Sequence, residues 1–480
     1  LKRKQSTTLE DTSMGIKRKY SRMSFTVTLI LLMIFALAMS ACSSNTDGTK
    51  TGNTAGEGNK QTNSGTNNTS EKQNDEPAEP EKHDPVTLTI INNWTGEEPG
   101  VKSMIEDFQK HYPWITIKIE TVLEGPAAKV AKAVALQAAG TPADIIGADE
   151  LTSGQELFED LGPWLDKDAD LKSVNFPVSF LNAYKVGGKQ LALPGANAAP
   201  FLFFVNKDLL AKHGLEMPSP DWTYDDLLNM AKQATDPAAG EWGLAPSIGI
   251  SRYLPSALAI ANGHAANHTF LNEDMSKSVA STPEVLADVQ WVQELQTKHH
   301  VIPDRAKATE QSLSDAFMQG KALFDSNGVW YTGNLRDQAQ FDWDVLPYPK
   351  GSVSQPTTLF NAPFTMLSAS KHKEEAWLYY KYGLSKEGIK FAIDDGQTPW
   401  GLDQEQQDYL LSNKAWEGKN TDTIKQLYTG ETCCANVGAN IKDFGDYYNT
   451  IYGGLDQILL DSAKVSDIFL PAADKFNSSR

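Results

Sequence analysis

Trp94 and Glu97 follow the first apolar run of the folded sequence, in "INNWTGEE". Asp149 and Glu150 follow another such run in "ADIIGADE", and Trp330 closes "FDSNGVW". An indole offers a flat ring whose negative face meets weakly positive C–H hydrogens, while carboxylates accept from hydroxyls. Such residues just past the carboxyl ends of strands suit a site for a small polar solute, because ligands of open α/β sheets sit there. Each has a plainer reading as well: Trp330 as core, Trp94 as packing at a cleft edge, Asp149 as a solvated loop acid. Glu97 could equally favour a helix N-terminus through the dipole. Two carboxylates roughly 5–10 Å apart would instead serve glycoside hydrolysis. However, the chain has no G-x-S-x-G elbow, HExxH, P-loop or CxxC. No enzyme, cofactor or metal site is expected.

A formal net charge of −18 argues against nucleic acid phosphates and anionic headgroups as partners. No basic cluster lies outside the N-terminus, where Lys17, Arg18, Lys19 and Arg22 form one. It precedes the 17-residue apolar run "FTVTLILLMIFALAMSA" that starts at Phe25 and ends before Cys42. That is the layout of a secretory signal. As a membrane span the run would be near the lower length limit, and small residues before the break favour cleavage. The segment "MSAC" resembles a bacterial lipobox, which implies that Cys42 becomes the first mature residue and carries lipid. Met39 stands where leucine is usual. Each buried acyl CH₂ is worth about 0.8 kcal/mol, so two chains anchor where one does not.

Residues 43–84 contain no aromatic residue, and apart from proline only alanine is apolar. Such a segment cannot offset its ordering entropy and is expected to stay a disordered tether. Its reach is roughly 35 Å r.m.s.. Cys433 and Cys434 are adjacent; outside the cytosol they could form a vicinal disulfide, stay free, or bind metal, but they are no framework for the fold.

The elements that must position the candidate residues begin at Pro85. "VTLTII" (86–91) reads as a buried strand. Val101, Met104, Ile105 and Phe108 share one helix face, and Ile115, Ile117 and Ile119 alternate as a strand. Strand, helix, strand predicts a parallel pair with a right-handed crossover. An alanine-rich helix near 127–139 and a strand over 143–147 extend it. Later, Thr223 and Asp226 stand at capping-box spacing. Thr282 precedes Pro283 as cap and first helical residue, and two short helices break near Ser385. The class is α/β. Trp222 and Trp242 read as scaffold.

Several stretches, in order, match a family. They are "FQKHYPWITI", "ALQAAGTPADII", "GGKQLALP", "VNKDLL", "WTYDDL", "FMQGKALFDSNGVW", "SKHKEEAW" and "GQTPWG". Over 85–401 the chain resembles bacterial extracellular solute-binding proteins of the sugar ABC-transporter type, the maltose-binding-protein-like group. The resemblance implies a periplasmic-binding-protein-like fold of two lobes with a ligand cleft between them. Lobe one would hold 85–193 plus 365–405, and lobe two 194–364 plus 406–480. The segments 1–41 and 42–84 would be signal peptide and lipidated tether. It implies a monomer that closes on a sugar or oligosaccharide and serves separate permease and ATPase chains. Lipid anchoring outside the membrane, with a long tether, fits a bacterium lacking an outer membrane. A polyamine, polyol or peptide is the alternative solute. By the same resemblance Trp330 stacks on the sugar, Asp149 and Glu150 occupy the family's acidic position, and Trp400 re-enters the cleft. Asn197, Arg252, Tyr253 and Asn361 join Trp94 and Glu97 as further contacts, although Asn197 would also suit a turn. Val205 replaces the tyrosine of the family's "YNKDLL", which removes a hydroxyl.

Overall fold

β1 (Val86–Asn92) is apolar on both faces: Leu88 and Ile90 enter one core and Ile91 the opposite one. The computed structural model describes residues 83–480 except 148–150, 152–153, 175, 177, 197, 304–315, 430–431, 434–440, 442 and 461–462. The signal, Cys42, the tether up to residue 82, and Asp149, Glu150, Asn197 and Cys434 lie outside the described residues. Helix Pro99–His111 buries Phe108, with Val101, Met104 and Ile105 half-buried beside it. It returns the chain to β2 (Ile115–Thr121), parallel to β1 from Val86↔Ile115 to Asn92↔Thr121. Helix Pro126–Ala138 leads to β3 (Ile145–Ile146), which pairs parallel on the other side of β1. The strand expected over 143–147 is thus short. Its flanks still bond to β1, Asp144 N to Thr89 O at 2.9 Å and Gly147 N to Ile91 O at 2.8 Å.

After the hairpin β4 (Lys185–Val186) and β5 (Lys189–Gln190), the chain crosses into a second sheet through β6 (Ala198–Asn206). That sheet also holds β7 (Trp242–Leu244), β8 (Ala322–Gly328), β9 (Trp343–Leu346), β10 (Thr357–Asn361) and β11 (Thr432–Cys433). Its order is β11-β10-β6-β8-β7, with β9 also on β6. Along β6, Phe201, Phe203 and Val205 enter one core while Leu202 and Phe204 enter the other. A strand buried on both faces carries a continuous apolar run for this reason. β6 runs antiparallel to β8, β9 and β10, and β7 is parallel to β8. The parallel expectation holds in the first sheet, where a crossover helix joins the strands. It does not extend to β6, which enters directly from the other lobe.

Helices start where their sequences say. Thr223 and Asp226 form a reciprocal capping box, Thr282 caps the helix opened by Pro283, and Ser385 caps Lys386–Asp394. Each satisfies backbone N–H groups that the first turn leaves open.

Two crossing segments pair with each other. Leu193 and Phe364 exchange backbone hydrogen bonds at 3.0 and 2.8 Å, and Asn361 stands opposite Ala198. Helix Lys373–Gly383 buries Trp377 and Tyr380 in the core of Leu88 and Ile90. The next helix, Lys386–Asp394, places Ile393 with Phe204 and Leu335 in the second lobe, and Leu402 joins them. The chain therefore reaches the second core before the expected boundary at 405.

Candidate functional site

β8 ends at Gly328, and Val329 N donates to Pro200 O at 2.9 Å. This corner turns the chain into helix Tyr331–Gln338, whose N-cap is Trp330. Val329 is fully buried, while Trp330 remains 40% exposed. The indole stands edge-on to Phe201, centroids 5.3 Å apart and planes at 89°. A Cβ on Gly328 would come within 2.2 Å of its six-membered ring. The ring therefore lies folded back on the bare Gly328 backbone, held by Phe201 and partly open to solvent. That is the form of a stacking platform.

Tyr253 reinforces the support. It is 6% exposed and packs against Phe201 at 4.4 Å and Phe360 at 4.9 Å, so it lies beneath the residue that steadies Trp330. Its neighbour Arg252 is committed to Asp456, with Nε–Oδ1 3.1 Å and Nη2–Oδ2 2.6 Å. This fork ties the π-helical turn Gly249–Tyr253 to helix Phe444–Leu460. Such planar pairing is what the guanidinium geometry favours.

In the other lobe Trp94 is half-buried, and its carbonyl accepts from Thr121 Oγ1 at 3.3 Å. Glu97 is exposed and paired with Lys102 at 2.7 Å. Its neighbour Glu98 organises the loop: its carboxylate accepts from Thr95 N at 3.0 Å, Gly96 N at 2.8 Å and Thr95 Oγ1 at 3.1 Å. Burial pushes the Glu98 pKa up, but hydrogen bonds to the charged form outweigh it and hold the carboxyl below its usual range. Sequence reasoning passed over Glu98, although the Thr95-x-x-Glu98 spacing is the signal that marks reciprocal side-chain–backbone bonding.

At the crossing, Asn361 is 1% exposed. Its Nδ2 donates to Gly195 O at 3.0 Å and its Oδ1 accepts from Gly195 N at 3.2 Å and from Tyr184 Oη at 3.3 Å. Trp400 Nε1 also donates to Gly195 O, and its ring lies 5.3 Å from Phe176. Tyr380 Oη donates to Pro194 O at 2.8 Å. Tyr184, Tyr380 and Gly195 were not anticipated from the sequence. Phe201 follows Gly195 by six positions in sequence, a reach of at most roughly 20 Å.

The structure thus gathers Trp330, Phe201 and Tyr253 in the N-terminal half of β6, while Asn361 faces its first residue, Ala198, and Trp400 N donates to Ala196 O just before it. Cys433 pairs in register with Thr358. A separate groove of about 570 Å³ lies between the last two helices, lined by Tyr447, Gly453, Ile468 and Lys475 among others. It holds none of the candidate residues. Among the described residues no helix is long and apolar enough to cross a membrane.

The family model described as "Bacterial extracellular solute-binding protein" matches residues 93–390. This chain belongs to that family. The matched segment of this solute-binding protein begins one residue before Trp94 and includes Arg252, Tyr253, Trp330 and Asn361; Trp400 lies beyond it. The multiple sugar-binding protein of Streptococcus mutans is 21% identical over 398 residues, covering 79% of this chain and 93% of the relative. Among solved structures, an ABC substrate-binding protein of Listeria monocytogenes in complex with cycloalternan aligns with a TM-score of 0.71 at 21% identity. It covers 82% of this solute-binding protein and 99% of the other chain. A maltose-bound MalE3 of Thermotoga maritima aligns with a TM-score of 0.66 at 21% identity, covering 82% and 100%. At these identities the two structures establish the shared two-lobe fold.

Proposed function

We propose that this solute-binding protein closes its two lobes on a neutral sugar or oligosaccharide and hands it to an ABC permease driven by a separate ATPase. The observation that carries the reading is Trp330: a large aromatic ring held edge-on by Phe201, lying on Gly328, and still 40% exposed at the carboxyl end of β8. Burying such a ring in lobe closure gains apolar contact that solvent exposure forgoes. Support comes from the Streptococcus mutans relative, named for binding multiple sugars, and from the cycloalternan and maltose complexes. Trp94 supplies the facing ring from lobe one, and Asp149, Glu150 and Asn197 supply hydroxyl partners. Lobe one comprises 85–193 and 365–405, lobe two 194–364 and 406–480, with the segment 386–402 touching both. Lipid on Cys42 and the 43–84 tether hold the domain at the outer face of the cell membrane.

A melting-temperature screen across mono- and oligosaccharides tests this reading, since a ligand that prefers the folded state raises the transition. Gluco-oligosaccharides are expected to raise it and to be recovered intact by chromatography. Released shorter sugars would establish the hydrolase alternative. A shift by spermidine alone, with every saccharide silent, would establish the polyamine one.

A further inference from the structure

Helix Pro99–His111 has no local cap: the N-cap Glu98 makes no side-chain capping bond and the first turn holds no acid. The Glu98 carboxylate is spent on Thr95 and Gly96 instead. The free N–H of Gly100 donates to Asp395 Oδ1 at 3.2 Å, from 295 residues away. A Cβ on Gly100 would stand 2.3 Å from Asp395 Cβ, so only glycine permits the approach. Burial raises the Asp395 pKa, while the Gly100 N–H and the charge of Arg336 pull it down. Arg336 belongs to the helix that Trp330 caps.

Asp395 ends helix Lys386–Asp394 and turns through Gly396. A methyl on Gly396 would come within 3.7 Å of Gly333 N, and one on Gly333 within 3.6 Å of Asp395 O. The two backbones lie about a methyl group apart. Gly333 is in the first turn of helix Tyr331–Gln338. One corner therefore touches the first turns of two helices in opposite lobes. The first of these helices starts five residues after Trp94 and the second immediately after Trp330.

We infer that Asp395 is a positioning residue: it clamps the Trp94 loop through Gly100 while its own backbone rests on the Trp330 helix, and so sets the spacing of the two aromatic faces. The inference rests on the reading of Trp94 and Trp330 as facing ligand contacts, but its first test uses no ligand. Amide hydrogen exchange is followed in peptides covering 96–105 and 329–338 of the full chain, with helix Pro283–Thr297 as internal standard. In Asp395→Ala, exchange is expected to rise at least tenfold in both peptides and to stay unchanged in the standard. Asp395→Asn keeps an acceptor for Gly100 N–H and is expected within twofold of the parent. Acceleration confined to 96–105 would reduce Asp395 to an ordinary cap and overturn the inference. So would equal acceleration in the standard, or none anywhere. Maltotriose calorimetry follows as a second arm. A parent protein that binds no saccharide damages the sugar reading and leaves the exchange result standing.

Discussion

Asn361 grips Gly195 from both sides: its Nδ2 donates to the glycine carbonyl at 3.0 Å while its Oδ1 accepts from the glycine N–H at 3.2 Å. One buried amide thereby joins the two segments that cross between lobes. The geometry needs a donor and an acceptor on the same side chain, which an amide alone supplies at this size. Asn361→Ala is expected to destabilise by about 1–3 kcal/mol, the penalty of leaving buried backbone groups unpaired. Asn361→Asp is expected to be worse above pH 5, because a carboxylate then faces the Gly195 carbonyl. Urea titrations of both variants at pH 7 check this; an Asp variant as stable as the parent contradicts it.

Gly195 makes the same junction sensitive from the other strand. A Cβ there would stand 2.2 Å from Ala362 O, a backbone atom that cannot swing away. Gly195→Ala must therefore spread the crossing strands, at an expected cost of about 1–3 kcal/mol. The melting temperature should fall, and intrinsic fluorescence should change through Trp400, whose Nε1 shares the Gly195 carbonyl.

Trp330 can be probed by removal or by displacement. Trp330→Ala is expected to weaken saccharide binding at least tenfold, about 1.4 kcal/mol or more, without unfolding the exposed corner. Gly328→Ala keeps the indole but puts a Cβ 2.2 Å from its ring. The ring is a side chain near the surface and can move, so stability should change little while affinity falls. Calorimetry of both variants against the tightest saccharide of the screen decides; unchanged affinity in Trp330→Ala removes this residue from the site.

Two buried titratable groups predict an unusual pH profile. Asp325, on β8, is 3% exposed with one carboxyl oxygen unpartnered, and burial pushes its pKa up to about 7. Between its unfolded pKa and about 7 the folded state keeps a proton that the unfolded state has lost. Stability therefore falls as pH rises through that window, by an amount of order 4 kcal/mol. His268 is also buried, and desolvation lowers its pKa to about 3. It stays neutral in the fold while the unfolded imidazole takes a proton, so its contribution falls as pH drops from 6.5 toward 3. The two slopes oppose and largely cancel from about pH 4 to 6.5. Asp325→Asn removes one of them. Its stability should rise with pH over this range and exceed that of the parent at pH 8. Parallel pH profiles for variant and parent would refute the assignment.

Much of the architecture was legible because its causes are local. The capping box of Thr223 and Asp226, the cap and proline at 282–283, and the break at Ser385 each depend on residues three or four apart. The β1–helix–β2 unit was legible because apolar periodicity declares helix and strand, and chirality fixes how they join. Trp330 could be picked out because it follows a buried strand.

What the tertiary structure decided is which partner each polar side chain takes. Glu97 turns to Lys102 and Arg252 to Asp456; Asn361 is absorbed into the crossing, and Asp395 caps a helix 295 residues away. The amino-acid sequence alone determined the secondary elements, the α/β class and the family pattern, since these arise from propensity and spacing along the chain. The hinge contacts and the support under Trp330 depend on which backbone surfaces approach within a hydrogen bond or a missing Cβ. Such distances are set only when the lobes pack, and no local pattern encodes them.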